Sequence, residues 1–261
     1  MTDVNVEIAP GVSIPLLGFG TWEMRGKTAE EAVACALEVG YRHLDTARMY
    51  GNEEQVGRAL AASGLARDDV FVTTKMWPDR AGSERGSIEE SLNALGLEYV
   101  DLWLIHWPPG GARPDVWQRF LEVQADGLAR AVGVSNYSVA QLDELNAATG
   151  RIPSVNQIEW GPALYDASTF DQHRARGVQL EGYSPLKTTD LRNRRLGEIA
   201  TAHGVTPAQV VIRWHLEHDI VVIPKSANPQ RISENADVFG FALTDDEVAD
   251  LDELGSGARR D

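Results

Sequence analysis

The stretch HLDTARMYG, residues 43–51, sets a carboxylate, Asp45, at the end of a short apolar run and a phenol, Tyr50, five positions further on. A carboxylate at the end of a buried strand needs a cation, because an unpaired buried charge is costly. Two later runs supply polar ends: VFVTTK (70–75) closes on Lys75, and VDLWLIH (100–106) closes on His106. If the runs are adjacent strands, Lys75 partners Asp45 and also faces the Tyr50 hydroxyl. An ammonium beside a phenol favours the phenolate and lowers its pKa from the usual value of about 10. Tyr50 then becomes a better proton donor near neutral pH. His106 can hydrogen-bond the oxygen that Tyr50 would protonate, so a carbonyl held by both is polarised for attack at carbon. The chain shows no nucleophile motif, and the attacking species must come from a cofactor.

Taken singly, these residues carry little weight: an isolated His is more often a satisfied core residue than a catalyst, and an isolated Lys is usually solvated. Their weight lies in where the elements bring them. Eight β-branched or aromatic runs recur: 16–22, 41–46, 70–75, 100–106, 130–136, 154–160, 178–184 and 220–226. Most are spaced by roughly 25 to 30 residues, the length of a βα unit. Helix signals fill the gaps. Thr28…Glu31, Ser87…Glu90, Ser138…Gln141 and Thr244…Glu247 read as capping boxes, and Thr206-Pro207 and Asn228-Pro229 as cap-then-proline starts. Gly40, Gly64, Gly96, Gly150 and Gly177 fall just past helical stretches. Eight such units in 261 residues predict an α/β fold, a (β/α)8 TIM barrel forming one domain over 1–261. VEIAPGVSIPLL predicts an N-terminal β-hairpin around Pro10-Gly11 that closes the bottom. A doubly wound sheet is the alternative, but GFGTWEMRG lacks the third glycine and helix start of a dinucleotide fingerprint.

A barrel places catalytic groups at the C-terminal ends of its strands. There the sequence lines up Asp45, Lys75, His106, Ser135-Asn136, Asn156-Gln157, Tyr183-Ser184 and Lys225-Ser226. Trp22, Trp77 and Trp107 each follow a strand end and predict the apolar wall of a substrate site, around Tyr50 and His106. Trp214 reads as core. The net charge of −15 disfavours nucleic acid or an acidic membrane as partner. Against that background Lys225 and Arg231 stand out, flanking Ser226 just before a helix that starts near Pro229. A helix N-terminus and a guanidinium both suit a phosphate. No targeting signal or membrane-length apolar run is present, so a cytoplasmic protein is expected. Cys35 reads as a buried core residue, and His215 with His218 as a surface face rather than a metal site.

GYRHLDTARMYGNEEQVGRAL, TTKMW, DLWLIHWP, GVSNYS, VNQIE, GYSPL and IPKSANPQRISENADVF occur here in an order and spacing that resembles the aldo-keto reductases, most of all bacterial diketogluconate reductase-like members. The resemblance spans nearly the whole chain. It implies a tetrad of Asp45, Tyr50, Lys75 and His106, with Tyr50 as general acid, and hydride transfer from NADPH to an aldehyde, a ketone or a dicarbonyl or keto-sugar relative. It implies Tyr183 stacked on the nicotinamide and Ser135, Asn136 and Gln157 on its carboxamide, with Thr21, Trp22 and Asp45 nearby. Ser184, Pro185 and Leu186 would follow the pyrophosphate, Lys225, Ser226 and Arg231 the 2′-phosphate, and Glu234 and Asn235 the adenine. Neither a metal nor a partner-binding extension is implied, and a monomer is expected.

Three departures matter. Gly161 stands where a His is common after the NQIE strand, which concerns loop shape. KTTDLRNRR is short for a segment that can cover the cofactor, and the tail after ADLDELGSG is brief, so weaker cofactor cover and an open, broadly specific site are expected. Two other functions compete: a cofactor-sensing barrel with little turnover, and alcohol oxidation as the main direction.

Overall fold

The computed structural model describes residues 4–257. The chain begins with an antiparallel hairpin of β1 (Asn5–Ala9) and β2 (Val12–Pro15). Gly11 makes the turn in the left-handed region, φ 72°, and its N–H donates to Glu7 Oε1 at 2.9 Å. Arg130 donates to the Gly11 carbonyl at 3.2 Å. Arg130 lies at the start of a barrel strand, so the hairpin covers the N-terminal end of the barrel, as expected.

Eight parallel strands follow: β3 (Phe19–Gly20), β4 (His43–Asp45), β5 (Phe71–Met76), β6 (Val100–Ile105), β7 (Ala129–Ser135), β8 (Val155–Glu159), β9 (Gln179–Tyr183) and β10 (Val221–Val222). Each pairs with the next in chain order. The ring closes where Leu17 bridges Val222, with Gly18 N–H donating to Val222 O at 2.9 Å and Val222 N–H to Leu16 O at 2.8 Å. This is a (β/α)8 barrel, and each predicted run contains one of its strands, save that β5 runs on to Met76 and β7 starts at Ala129, each one residue outside its run. β5 and β6 are buried along their whole length. Their inward side chains fill the barrel and their outward ones meet helices, which is why the runs read as continuously apolar or β-branched.

The helices are α1 (Gly26–Val39), α2 (Glu53–Ala62), α3 (Glu84–Leu95), α4 (Pro114–Ala125), α5 (Val139–Thr149), α6 (Ala167–Ala175), α7 (Arg194–His203), α8 (Pro207–Glu217), α9 (Pro229–Ala236) and α10 (Asp245–Gly257). The capping boxes at Ser138 and Thr206 form in full. Thr244 and Glu247 bond reciprocally, and Asn228 accepts from Arg231 N–H. Two predicted boxes do not form. α1 already opens at Gly26, because Asn52 ties down the carbonyls of Thr21 and Met24 and ends the preceding loop there; Thr28 lies inside the helix. α3 opens at Glu84, whose carboxylate accepts from Gly82 N–H at 2.7 Å. Ser87 is then one turn in and donates back to the Ser83 carbonyl at 2.8 Å. Gly40, Gly64, Gly96, Gly150 and Gly177 all adopt positive φ past helix ends.

Three core expectations divide. Trp214 is fully buried, as predicted. Cys35 is half-buried at the edge of the core instead of inside it. His215 is fully buried, not on a surface: its Nδ1 lies 2.8 Å from the Val211 carbonyl, while His218 meets Asp252 at 2.9 Å. An amphipathic stripe rotated by one residue is enough to bring a histidine inward. No His/Cys/Asp/Glu group able to hold a metal occurs among the described residues, nor a helix long and apolar enough to cross a membrane. The segment 258–261, the end of the short tail, lies outside the described residues.

Close helix packing sets one sharp requirement. A Cβ on Gly57 of α2 would sit 2.2 Å from the Leu95 carbonyl oxygen at the end of α3. Gly57→Ala is therefore expected to destabilise the fold by about 1–3 kcal/mol, the cost of overpacking, despite alanine's better helix propensity. Urea denaturation checks it; an unchanged or raised midpoint would show that the two helices can separate at no cost.

Candidate active site

Most of the polar strand ends, Asp45, His106, Ser135, Asn136, Gln157, Tyr183, Ser184 and Lys225, line one cavity of about 420 Å³ at the C-terminal mouth of the barrel, while Asn156 is buried on Tyr137 and His173. Asp45 ends β4, and Lys75 lies in β5 beside it. Lys75 Nζ donates to Asp45 Oδ1 at 2.5 Å, to the Thr46 carbonyl at 2.9 Å and to the Tyr50 hydroxyl at 3.5 Å. Asp45 Oδ2 accepts from Gln157 Nε2 at 2.8 Å. Lys75 and Asp45 are both buried. Burial alone would lower Lys75, but the neighbouring acids, Asp45 first and then Tyr50 and Glu181, together more than offset it and keep the ammonium charged. Burial raises Asp45, and Lys75 and Gln157 pull it back.

Tyr50 is delivered by a 3-10 turn, Arg48–Tyr50, that ends at Gly51 in the left-handed region. The turn is pinned by Asn52, fully buried, whose Oδ1 accepts from Thr46 Oγ1 at 2.7 Å while its amide donates to Thr21 and Met24. The predicted lowering of the Tyr50 pKa is not what the site produces. Burial raises the phenol and outweighs the pull of Lys75, with Asp45 pushing the same way as burial. Tyr50 therefore holds its proton at neutral pH, as a proton donor must. The role of Lys75 is to limit how far burial raises it.

His106, just past β6, lies edge-on to Tyr50 at 5.6 Å and to Trp77 at 5.1 Å between ring centroids. Burial, then the Lys75 charge, push its pKa down to about 3. It is a neutral ring that can offer a hydrogen bond but carries no charge. Its Nδ1 is buried without a partner. Trp22 packs on Tyr50 at 4.7 Å, and Trp22, Trp77 and Trp107 all line the cavity as predicted. Met49, Glu23 and Lys187 also line it and were not legible as site residues; nothing in a solvated helix-flanking segment distinguishes them from ordinary surface.

The cofactor-side residues divide into three groups. Asn136, held at φ 62°, accepts from the Tyr183 hydroxyl at 2.9 Å and donates to Ser135 Oγ at 2.9 Å and the His106 carbonyl at 3.2 Å. Ser135 in turn donates to the Gln157 carbonyl at 2.8 Å. These residues and Ser184, Pro185 and Leu186 all border the cavity. Thr21 does not: it is fully buried behind the wall, its hydroxyl donating to the Asp45 carbonyl at 3.0 Å. Of the predicted phosphate and adenine residues only Lys225 lines the cavity. Ser226 is buried and accepts from Asn228 N–H at 3.1 Å, Asn235 is buried as well, and Glu234 accepts from Gln230 at 2.7 Å. Lys225 and Arg231 are exposed, and neither side chain makes an ion pair or hydrogen bond among the described residues. Two free cations near the start of α9 suit a phosphate, and the half-buried ring of Tyr183 adds an aromatic wall to the cavity. The residues present fit a nicotinamide dinucleotide phosphate.

Gly161 has a structural reason. A Cβ there would lie 2.6 Å from Thr188 Oγ1 and 3.2 Å from the Pro185 carbonyl. The glycine lets the loop after β9 lie against the loop after β8, so the departure concerns packing of the short cover segment and leaves the tetrad untouched.

The barrel and the four gathered groups agree with the resemblance read from the sequence, and sequence comparison shows the family. A model of the aldo/keto reductase family matches residues 16–256; the chain belongs to that family. It is 42% identical to morphine 6-dehydrogenase of Pseudomonas putida, over 97% of this chain and 92% of that one. It is 39% identical to methylglyoxal reductase DkgA of Salmonella typhimurium, over 97% of this chain and 94% of that one, in keeping with the diketogluconate reductase-like resemblance. The crystal structure of a Bombyx mori aldo-keto reductase in complex with NADP superposes with a TM-score of 0.90 at 31% identity, covering 97% of this chain and 93% of that one.

Proposed function

We propose that this protein reduces an aldehyde or ketone to the alcohol with NADPH, with Tyr50 as the proton donor. The observation that carries this reading is Lys75 Nζ shared between Asp45 and the Tyr50 hydroxyl on a cavity that also holds His106. When bound, the nicotinamide supplies the hydride that reduces the carbonyl carbon. Tyr50 gives its proton to the carbonyl oxygen, and the phenolate left behind faces the Lys75 ammonium at 3.5 Å, a preorganised charge in a dry site. His106, neutral, donates a hydrogen bond to the same oxygen and fixes its place. Asp45 and Gln157 hold Lys75 where it is needed. The tryptophans exclude water and favour substrates with an apolar body beside the carbonyl.

Lys225 and Arg231 hold the 2′-phosphate in this reading, with Ser184, Pro185 and Leu186 along the pyrophosphate. Replacing either cation with alanine is expected to weaken NADPH by about tenfold or more, one charge-assisted contact, and to leave NADH within about twofold. Fluorescence titration with both cofactors checks it; equal losses would remove the phosphate assignment. The relation to methylglyoxal reductase supports small dicarbonyls as substrates. The relation to morphine 6-dehydrogenase supports a second reading in which an alcohol is oxidised, since the same groups serve both directions. NADPH oxidation against a panel of aldehydes, dicarbonyls and cyclic ketones, with the reverse reaction on the matching alcohols, tests the proposal. Absence of turnover in both directions, with NADPH bound, would favour the sensing barrel.

A further inference from the structure

Beneath the Asp45–Lys75 pair the barrel interior is polar. Glu181, in the middle of β9, is fully buried, and neither of its carboxylate oxygens has a hydrogen-bond partner. The groups facing it come from every neighbouring element. β4 brings His43, whose Nε2 is 3.9 Å from Glu181 Oε1, and the Asp45 carboxylate. β5 brings Lys75, β8 brings Gln157, and the turn after β4 brings Tyr50. β10 sets Val221 opposite it in register and adds no charge.

None of these is a counter-ion for Glu181. His43 is fully buried and neutral: burial, then the Lys75 charge, push it down to about 3, and its Nε2 already meets Thr73 Oγ1 at 3.1 Å. The room for this ring exists because residue 18 is glycine, where a Cβ would lie 2.4 Å from His43 Nδ1. Lys75 is taken by Asp45 and the Thr46 carbonyl. Gln157 donates to Asp45 at 2.8 Å, and its amide, which also pulls Glu181 down, brings no charge. A buried carboxyl with two unpartnered oxygens and no cation of its own keeps its proton. Burial, reinforced by the Asp45 charge, holds Glu181 at about 8.

We propose that Glu181 is a positioning residue for the reduction: as an uncharged acid it leaves Lys75 balanced by Asp45 alone, so that the ammonium stabilises the phenolate formed when Tyr50 gives up its proton. The proposal rests on the reading of Tyr50 as proton donor. Loss of the Glu181 proton to solvent adds a second negative charge to a cluster of one ammonium and one carboxylate. That charge offsets the pull of Lys75 on Tyr50 and makes the phenol hold its proton more tightly. The direction follows: reduction slows as pH rises through about 8, well before Tyr50 itself titrates.

The test is the pH profile of kcat/KM between pH 6 and 9.5 for NADPH-dependent reduction of methylglyoxal by wild type, Glu181→Gln and Glu181→Asp. The wild type should lose about tenfold across the alkaline limb, one pKa unit of like-charge repulsion. Glu181→Gln, isosteric and unable to ionise, should lose that limb, and Glu181→Asp should keep one. An alkaline limb in Glu181→Gln identical to the wild type's would overturn the proposal. Should the variants fail to fold, carbon-13 titration of the glutamate carboxyls in the wild-type protein decides it. A buried carboxyl titrating near the kinetic midpoint supports the assignment, and none titrating above pH 6 refutes it. Failure of the underlying reading looks different: no wild-type turnover, or retained turnover in Tyr50→Phe.

Discussion

Tyr50→Phe should lower kcat for carbonyl reduction by about 10²–10⁴-fold, the usual worth of a positioned general acid, while NADPH binds within about twofold of wild type. The split follows from the geometry. The phenyl ring keeps its packing against Trp22 at 4.7 Å and its edge contact with His106 at 5.6 Å, so the shape of the cavity survives. Only the hydroxyl is lost, and with it the 3.5 Å contact to Lys75. Neither Lys225 nor Arg231, the cations assigned to the phosphate, hydrogen-bonds residue 50 among the described residues. Steady-state kinetics with a fluorescence titration of NADPH separate the two quantities. A variant that kept more than a tenth of wild-type kcat would make some other group, His106 or a water, the proton donor. His106 starts from a poor position for that role, because a ring held near pKa 3 is neutral at neutral pH, and its single N–H can donate a hydrogen bond but is far too weak an acid to give up the proton.

Lys75→Met is expected to be the most damaging exchange for the fold as well as for turnover. Methionine nearly fills the volume, so the loss is mainly electrostatic. Asp45 would remain buried with only the Gln157 amide on Oδ2. Removing one member of a buried pair costs about 3–5 kcal/mol, and at neutral pH the variant should be destabilised on that scale. The sign of its pH dependence is set by Asp45. Without the ammonium, burial raises the folded-state pKa of Asp45 further, while the unfolded value stays near the ordinary carboxylate range. A group raised in the folded state contributes full stability below its unfolded pKa and loses it as pH rises through the folded one. Lys75→Met should therefore be less destabilised at pH 4 than at pH 8, and adding Asp45→Asn should recover part of the loss at pH 8. Urea midpoints at both pH values, for single and double variants, measure this. A pH-independent penalty, or no recovery in the double variant, would mean that packing around the lysine stem, and not its charge, holds the site together.

Much of this architecture is legible in the sequence. The eight strands were readable because each carries a dense β-branched or aromatic run bounded by caps and glycines, and local propensity agrees there with the global fold. Ser138, Thr206 and Asn228 cap helices as their neighbours dictate. Asp45, Lys75 and His106 were readable as a site because the barrel rule turns strand-end position into spatial convergence. Thr28 and Ser87 misled because a hydroxyl three residues before a glutamate also occurs inside helices. There the true start was set by a loop tied from elsewhere, through Asn52 in one case.

The sequence alone thus determined the order of elements, the rim on which the polar residues gather and the family to which the chain belongs, since these depend on patterns within a few residues or on motifs in a line. Tertiary structure decided the protonation of the site. Gln157 reaches Asp45 across 112 positions of chain, and Glu181 looks like any strand residue until β4, β5 and β8 are seen to surround it with a single cation, Lys75, that is already paired with Asp45. Burial and charge at a point are sums over segments that no local pattern records, and they set the direction in which each group moves: Tyr50 and Glu181 up, His43 and His106 down.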